Sequence, residues 1–137
     1  MIDKLSTMSA VVICLTPTGC LVGTQSTALL FEGEVTETDG EFQISGTLYL
    51  NNAAEDAFFR NIKLVITDEN RAVLKELAIG NMNSSRVSVP VNITVTGTPK
   101  YGLVKVDEVE SSRPYHVDGF RYEDGQLQTY SDYNASY

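Results

Sequence analysis

The 137-residue sequence predicts an all-β chain, an antiparallel β-sandwich behind an apolar amino-terminal segment. Three observations predict it. Apolar and polar residues alternate with period two from Ala28 onward, the pattern of half-buried strands. Turn dipeptides interrupt that alternation at short intervals. No stretch holds a clear helical period throughout, and one apolar face per strand is what two packed sheets need.

Length and composition agree. The chain suffices for one domain, and 42% hydrophobic with 20% charged residues is the make-up of a packed core rather than of disorder. The formal charge is −8, from 18 acidic and 10 basic residues. The basic residues are scattered singly, which argues against nucleic acid as a partner, because phosphate binding needs clustered Lys and Arg.

Residues Met8 to Leu15 read MSAVVICL, seven of eight positions apolar. That run is too short to span a bilayer, which takes about 20 residues. It has the length of a signal-peptide h-region. Thr16-Pro17-Thr18-Gly19-Cys20 follows, a small residue before a cysteine, and this resembles a lipobox. The resemblance implies removal of residues 1–19, lipid on Cys20, and a membrane anchor at the cell surface or in a periplasm-like space. Leu15 stands five positions before Cys20, and Pro17 occupies the usual aliphatic position. The alternative is a first strand with two incidental thiols. Cys14 and Cys20 are the chain's two cysteines. The domain body therefore has no disulfide of its own and no thiolate metal site.

The elements follow in order. Residues 20–28 form a short tether and 29–112 the sandwich. Leu29, Phe31, Gly33 and Val35 share one face, and Phe42, Ile44, Leu48 and Leu50 share another. Asp39-Gly40 joins them as a hairpin turn that tolerates positive φ. Phe58, Ile62, Leu64 and Ile66 predict a third strand, ending in the turn DENR. Val73, Leu77 and Ile79 predict its partner, although 71–79 also fits a helical spacing. Val87, Val89, Val91, Ile93 and Val95 alternate inward. Pro90 lacks an N–H for a central ladder, so this strand lies at an edge or carries a bulge there. Leu103, Val104 and Val106 mark a sixth strand.

The stretch from Gly46 to Glu76, GTLYLNNAAEDAFFRNIKLVITDENRAVLKE, resembles the FxLYD-type immunoglobulin-like domain of extracytoplasmic prokaryotic, including archaeal, proteins. Asn51-Asn52 closes a strand as in that family, and Asp68 matches its turn aspartate. Thr67 stands at the aromatic position and Asn70 at the turn glycine. The resemblance covers about a quarter of the chain. It implies a small immunoglobulin-like sandwich, often on lipoproteins, with no catalytic residues.

Residues 113–137 change character and read as a Tyr-rich hairpin and tail. Asp118-Gly119 and Asp124-Gly125 are its turn dipeptides. Tyr115, Phe120, Tyr122 and Tyr130 are candidates for an aromatic binding surface, suited to a protein or glycan partner. His116 is the single histidine, with Asp118 on the same face of a strand as an orienting partner. No nucleophile motif accompanies it, and one His without thiolates builds no zinc site. Asp118, Glu123 and Asp124 are the best cation candidates, and solvated turn charges explain them better. No phosphate-cradling glycine loop is present, so the sequence calls for no cofactor and no metal. Asn83, Asn92 and Asn134 open glycosylation sequons, usable if the chain is exported.

These readings favour a membrane-anchored, non-enzymatic binding module. A structural subunit of an extracellular or viral assembly, packing through its apolar amino terminus, is the alternative. A small hydrolase ranks last.

Overall fold

The computed structural model describes residues 26–130. The signal segment, Cys14, Cys20 and Asn134 lie outside the described residues. Nine strands and no helix make up the described chain: β1 (Thr27–Thr38), β2 (Glu41–Asn51), β3 (Phe58–Thr67), β4 (Val73–Asn83), β5 (Ser88–Thr96), β6 (Tyr101–Lys105), β7 (Glu108–Glu110), β8 (Tyr115–Glu123) and β9 (Gln126–Tyr130). The fold is a β-sandwich. One sheet is β1-β2-β5, and the other is β4-β3-β6-β8-β9 with β7 beside the start of β3.

Strand β8 joins the sheets. Its first part, Tyr115 to Asp118, runs parallel to Thr27–Leu30 of β1. Beyond Gly119 it turns to β6 on one side and β9 on the other. With β1-β2-β5 opposed to β3-β6-β8, the strands are distributed as in immunoglobulin-like sandwiches, with β4 beside β3. The Tyr-rich hairpin predicted after residue 112 forms strands β8 and β9, which complete the second sheet.

The alternation locates the core. Leu29, Phe31, Ile44 and Leu48 from the first sheet meet Phe59, Ile62, Leu64, Ile66 and Val104 from the second. Asp39 and Gly40, both at positive φ, make the β1–β2 turn, and Asp124 and Gly125 do the same between β8 and β9. Strand β5 lies at the sheet edge, as Pro90 requires. Thr47 pairs with Pro90 within an unbroken β2–β5 ladder.

Phase errors arise at irregularities. A bulge at Asn61, φ 51°, shifts β3 by one residue. Phe59 is consequently buried, and Phe58 turns outward beneath the Arg60 guanidinium, 4.4 Å from its ring centre. In β4, Ile79 and Met82 are buried in the core with Leu74 and Leu77 packed against it, whereas Val73 is 62% exposed. Val87 precedes β5 and is exposed. Leu103 is buried, but on the outer face, opposite Val65. Asp118-Gly119 is no turn: it lies within β8, where the strand changes partners.

One internal stack spans the sandwich. Gly102 pairs with Phe120, and a Cβ at 102 would stand 2.7 Å from Cδ2 of that ring. Phe120 in turn packs on Phe31 with ring centres 5.2 Å apart. The Phe31 ring covers the facing pair Gly33–Gly46, whose own side chains would strike it at 2.7 and 2.8 Å. Glycines here make room for aromatic rings on strands that otherwise carry side chains.

Candidate functional site

The register sorts the loops into two ends. The chain enters at the end holding Thr27, Asn51, Asn83 and Tyr115. The far end holds the β1–β2 turn, the β3–β4 turn, the β5–β6 loop and the β8–β9 turn. There an open cleft of about 630 Å³ is lined by Asp68, Glu69, Lys100, Tyr122, Glu123 and Asp124. Backbone bonds hold its loops: Lys100 N–H donates to Thr67 O and Tyr122 N–H to Lys100 O, each at 2.8 Å. The Asp68 carboxylate accepts the N–H groups of Asn70 and Ala72 at 2.8 and 2.9 Å, which shapes the β3–β4 turn. Lys100 approaches Glu123 at 3.8 Å, and Glu123 also pairs with Arg121 at 3.2 Å.

Beside the cleft lies an arginine–tyrosine stack. Arg71 closes the β3–β4 turn at φ 67°, a left-handed conformation that costs a residue with a side chain about 1–2 kcal/mol. Glycine or asparagine would avoid most of that cost. Arginine instead places its guanidinium 4.3 Å over the Tyr101 ring and donates from Nη2 to the Tyr130 hydroxyl at 2.9 Å. The two tyrosine rings are 5.1 Å apart. Exposed Val73 begins β4 opposite Thr67, which pairs on its other side with Tyr101. Tyrosine and arginine around an apolar neighbour are the side chains that dominate binding hot spots.

The predicted aromatic set does not form one surface. Tyr130 belongs to this stack. The Tyr122 ring turns inward, edge-on to Phe42 at 6.3 Å. Phe120 is fully buried in the core. Tyr115 stands at the entry end, edge-on to Phe59 at 5.7 Å. Tyr101 and Arg71 were not among the predicted residues. Only the pairing of β6 with both β3 and β8 brings them to Tyr130, and no local sequence signal marks an arginine at positive φ.

The acidic trio also separates: Glu123 and Asp124 line the cleft, while Asp118 lies lower on β8 and pairs with His116. Among the described residues no group of three His, Cys, Asp or Glu side chains is placed to hold a metal ion. His116 Nδ1 lies 3.0 Å from Asp118 Oδ2, so the orienting pair forms, with the carboxylate buried and the imidazole half-exposed. Their cross-strand partners are Ala28 and Leu30, neither a nucleophile. Asn83 accepts the Ser85 N–H at 2.8 Å in the β4–β5 turn. Asn92 is exposed on β5 and accepts from Gln43 Nε2 at 2.8 Å.

On the outer face of the first sheet, burial and a hydrogen bond to the Glu32 carboxylate push the Tyr49 hydroxyl from its ordinary 10.0 up to about 12. The unfolded chain releases this proton first, so stability is unchanged below pH 10 and falls between pH 10 and 12. Phenolate absorbance should show one tyrosine titrating near pH 12, and Glu32→Gln should return it part of the way toward 10, because the hydroxyl stays shielded from water. A Glu32→Gln titration identical to wild type refutes the pairing.

Comparison of the chain with protein-family models, with curated proteins and with solved structures gave no significant match.

Proposed function

We propose that this chain is a non-enzymatic extracytoplasmic binding module, held at a membrane surface by lipid on Cys20 and offering its far end to a protein or glycan. The carrying observation is polarity. The first strand begins at Thr27, and the cleft and the Arg71–Tyr101–Tyr130 stack lie at the opposite end. Six residues separate Cys20 from Thr27, a reach of about 20–25 Å when extended. An anchor there keeps the entry end near the bilayer and points the cleft away from it. β1 alone has 12 residues, about 40 Å at strand rise. The strained arginine supports the reading further, since backbone strain persists where function repays it. The resemblance of residues 46–76 to the FxLYD-type domain fits the same picture.

Mass spectrometry of the mature protein tests the anchor. The expected product begins at Cys20 and carries a lipid mass. An intact, unmodified Met1 overturns the anchored reading and leaves the far-end site to be judged alone.

A further inference from the structure

Strand β1 outruns its neighbour on one side. It pairs with β2 over residues 28–38, but with β8 only over 27–30. The Thr27 N–H donates to Pro114 O, so it points to the β8 side. Residues two apart share an edge, so Gly33, Val35 and Glu37 send their N–H and C=O groups the same way. The two-residue turn at Asp39-Gly40 agrees. It closes on a hydrogen-bonded pair, Thr38 with Glu41, which leaves Gly33, Val35 and Glu37 facing away from β2. Among the described residues no strand pairs with that edge beyond Leu30. Gly33 and Glu37 are exposed there, and Val35 is half-buried.

This edge lacks the usual protection. Sheets blunt open edges with proline, lysine or a bulge. The opposite edge of the same sheet has such a device. Thr47 pairs with both Glu32 and Pro90, and its own backbone bonds are made to β1, so the N–H that Pro90 lacks is one that would have faced outward. β1 holds no proline and no lysine, and its register with β2 is unbroken. It carries negative charge instead. Strands β1, β2 and β5 contain Glu32, Glu34, Glu37 and Glu41 and no Lys or Arg. Glu32 and Glu34 flank Gly33 on the outer face, because Phe31 and Val35 turn toward the core. Below the edge a slot of about 400 Å³ opens between β1 and β9, lined by Phe31, Gly33, Phe120, Leu127 and Thr129. β9 has no charged residue, and Arg121 beside it is held by Glu123 at 3.2 Å and Gln128 at 3.1 Å.

We propose that the edge of β1 over residues 31–37 takes up an extended basic segment of a partner protein as an added strand. The backbone of that segment bonds to Gly33, Val35 and Glu37. Its residues opposite Glu32 and Glu34 fall in pairs of the non-hydrogen-bonded kind, whose side chains stand closest. Lys or Arg at those positions meets a carboxylate. The alternate side chains point down into the slot, where small apolar groups cover Phe31 and the half-buried Val35 and Leu127. Charge also decides against a second copy. Two β1 edges paired antiparallel about Gly33 set Glu32 of one copy opposite Glu34 of the other, and like charges directly opposite destabilise a ladder. The chain's own residues 131–137, SDYNASY, offer an aspartate and no Lys or Arg. The proposal rests neither on lipid at Cys20 nor on the far-end cleft, because the edge is a separate surface.

Amide exchange of the full chain, with a short peptide of alternating Lys and Val as the probe, tests this. The peptide should slow exchange at Gly33 and Val35 and leave the outer edge of β5 as it was. A peptide of alternating Glu and Val should do neither. Glu34→Lys should weaken binding of the Lys-Val peptide about fivefold or more, the scale of one cross-strand charge pair. Val35→Pro keeps every charge and leaves the β1–β2 ladder intact, but it removes an outward N–H and should abolish binding. No slowing at Gly33 and Val35, or an equal effect of the two peptides, overturns the proposal. Undiminished binding by Val35→Pro overturns it as well, because charge attraction without strand pairing is then enough. Should Val35→Pro not fold, Glu34→Lys and the acidic peptide decide. Protection of these amides without peptide also overturns it. Constant protection assigns the edge to the chain's own residues outside 26–130, and protection that rises with protein concentration assigns it to a second copy.

Discussion

Phe120→Ala should lower the unfolding free energy by about 3–5 kcal/mol, a large part of what a domain of this size possesses. The loss belongs at the upper end because of what surrounds the ring. Phe120 is 1% exposed and packs on Phe31. The surfaces behind these two rings are the backbones of Gly102, Gly33 and Gly46. Ordinary cores soften a truncation when neighbouring side chains lean into the gap. Glycines have none to lean, so the cavity stays open and its lining loses contacts outright. Urea denaturation of Phe120→Ala and Phe120→Leu should therefore differ clearly, with leucine retaining about half of the lost stability on the scale of large-to-small core changes. A cost below about 1 kcal/mol for alanine would mean that the strands close over the space.

Much of the fold was legible because period two survives wherever the ladder is regular. The β1–β2 hairpin, its Asp39-Gly40 turn and the edge position of β5 follow from Phe42, Ile44, Leu48, Pro90 and their neighbours. Legibility failed where one residue changes phase. Nothing in FFRNIKL announces the bulge at Asn61, so Phe58 and Phe59 exchange places. The candidate site was less legible. Arg71, Tyr101 and Tyr130 follow one another at intervals of about 30 residues along the chain, so their stack depends on the order of strands in the sheet. The aromatic character of the carboxy-terminal stretch was visible, but which tyrosines face solvent was not. Phe120 and Tyr122 point inward because β8 covers the core between the two sheets. The His116–Asp118 pair was legible, because residues i and i+2 of a strand share a face.

Gly119→Ala should be as damaging in its own way, about 3 kcal/mol, the upper range for overpacking. As part of an Asp-Gly turn, position 119 would tolerate Asn and suffer from Ala only through positive φ. Its actual place is different. Gly119 has no positive φ and lies where β8 leaves β1 for β6. A Cβ there would press on the Gly102 carbonyl oxygen, 3.0 Å from its carbon and 3.3 Å from Leu103 Cα. These are backbone atoms, so no rotamer change relieves the contact. β8 must move off β6 at the one strand that ties the two sheets together. Gly125, in the true turn, has φ 78° and nothing within 4 Å of a built Cβ. Asparagine, which accepts the left-handed region, should therefore be tolerated at 125 and rejected at 119. Denaturation midpoints for Gly119→Ala, Gly119→Asn and Gly125→Asn decide it. Amide exchange should add the location, with faster exchange in β6 and β8 of the position-119 variants while the β2–β5 ladder keeps its protection. Equal tolerance of asparagine at both positions would mean that β8 does not pass this close to β6, and the joint between the sheets would have to lie elsewhere.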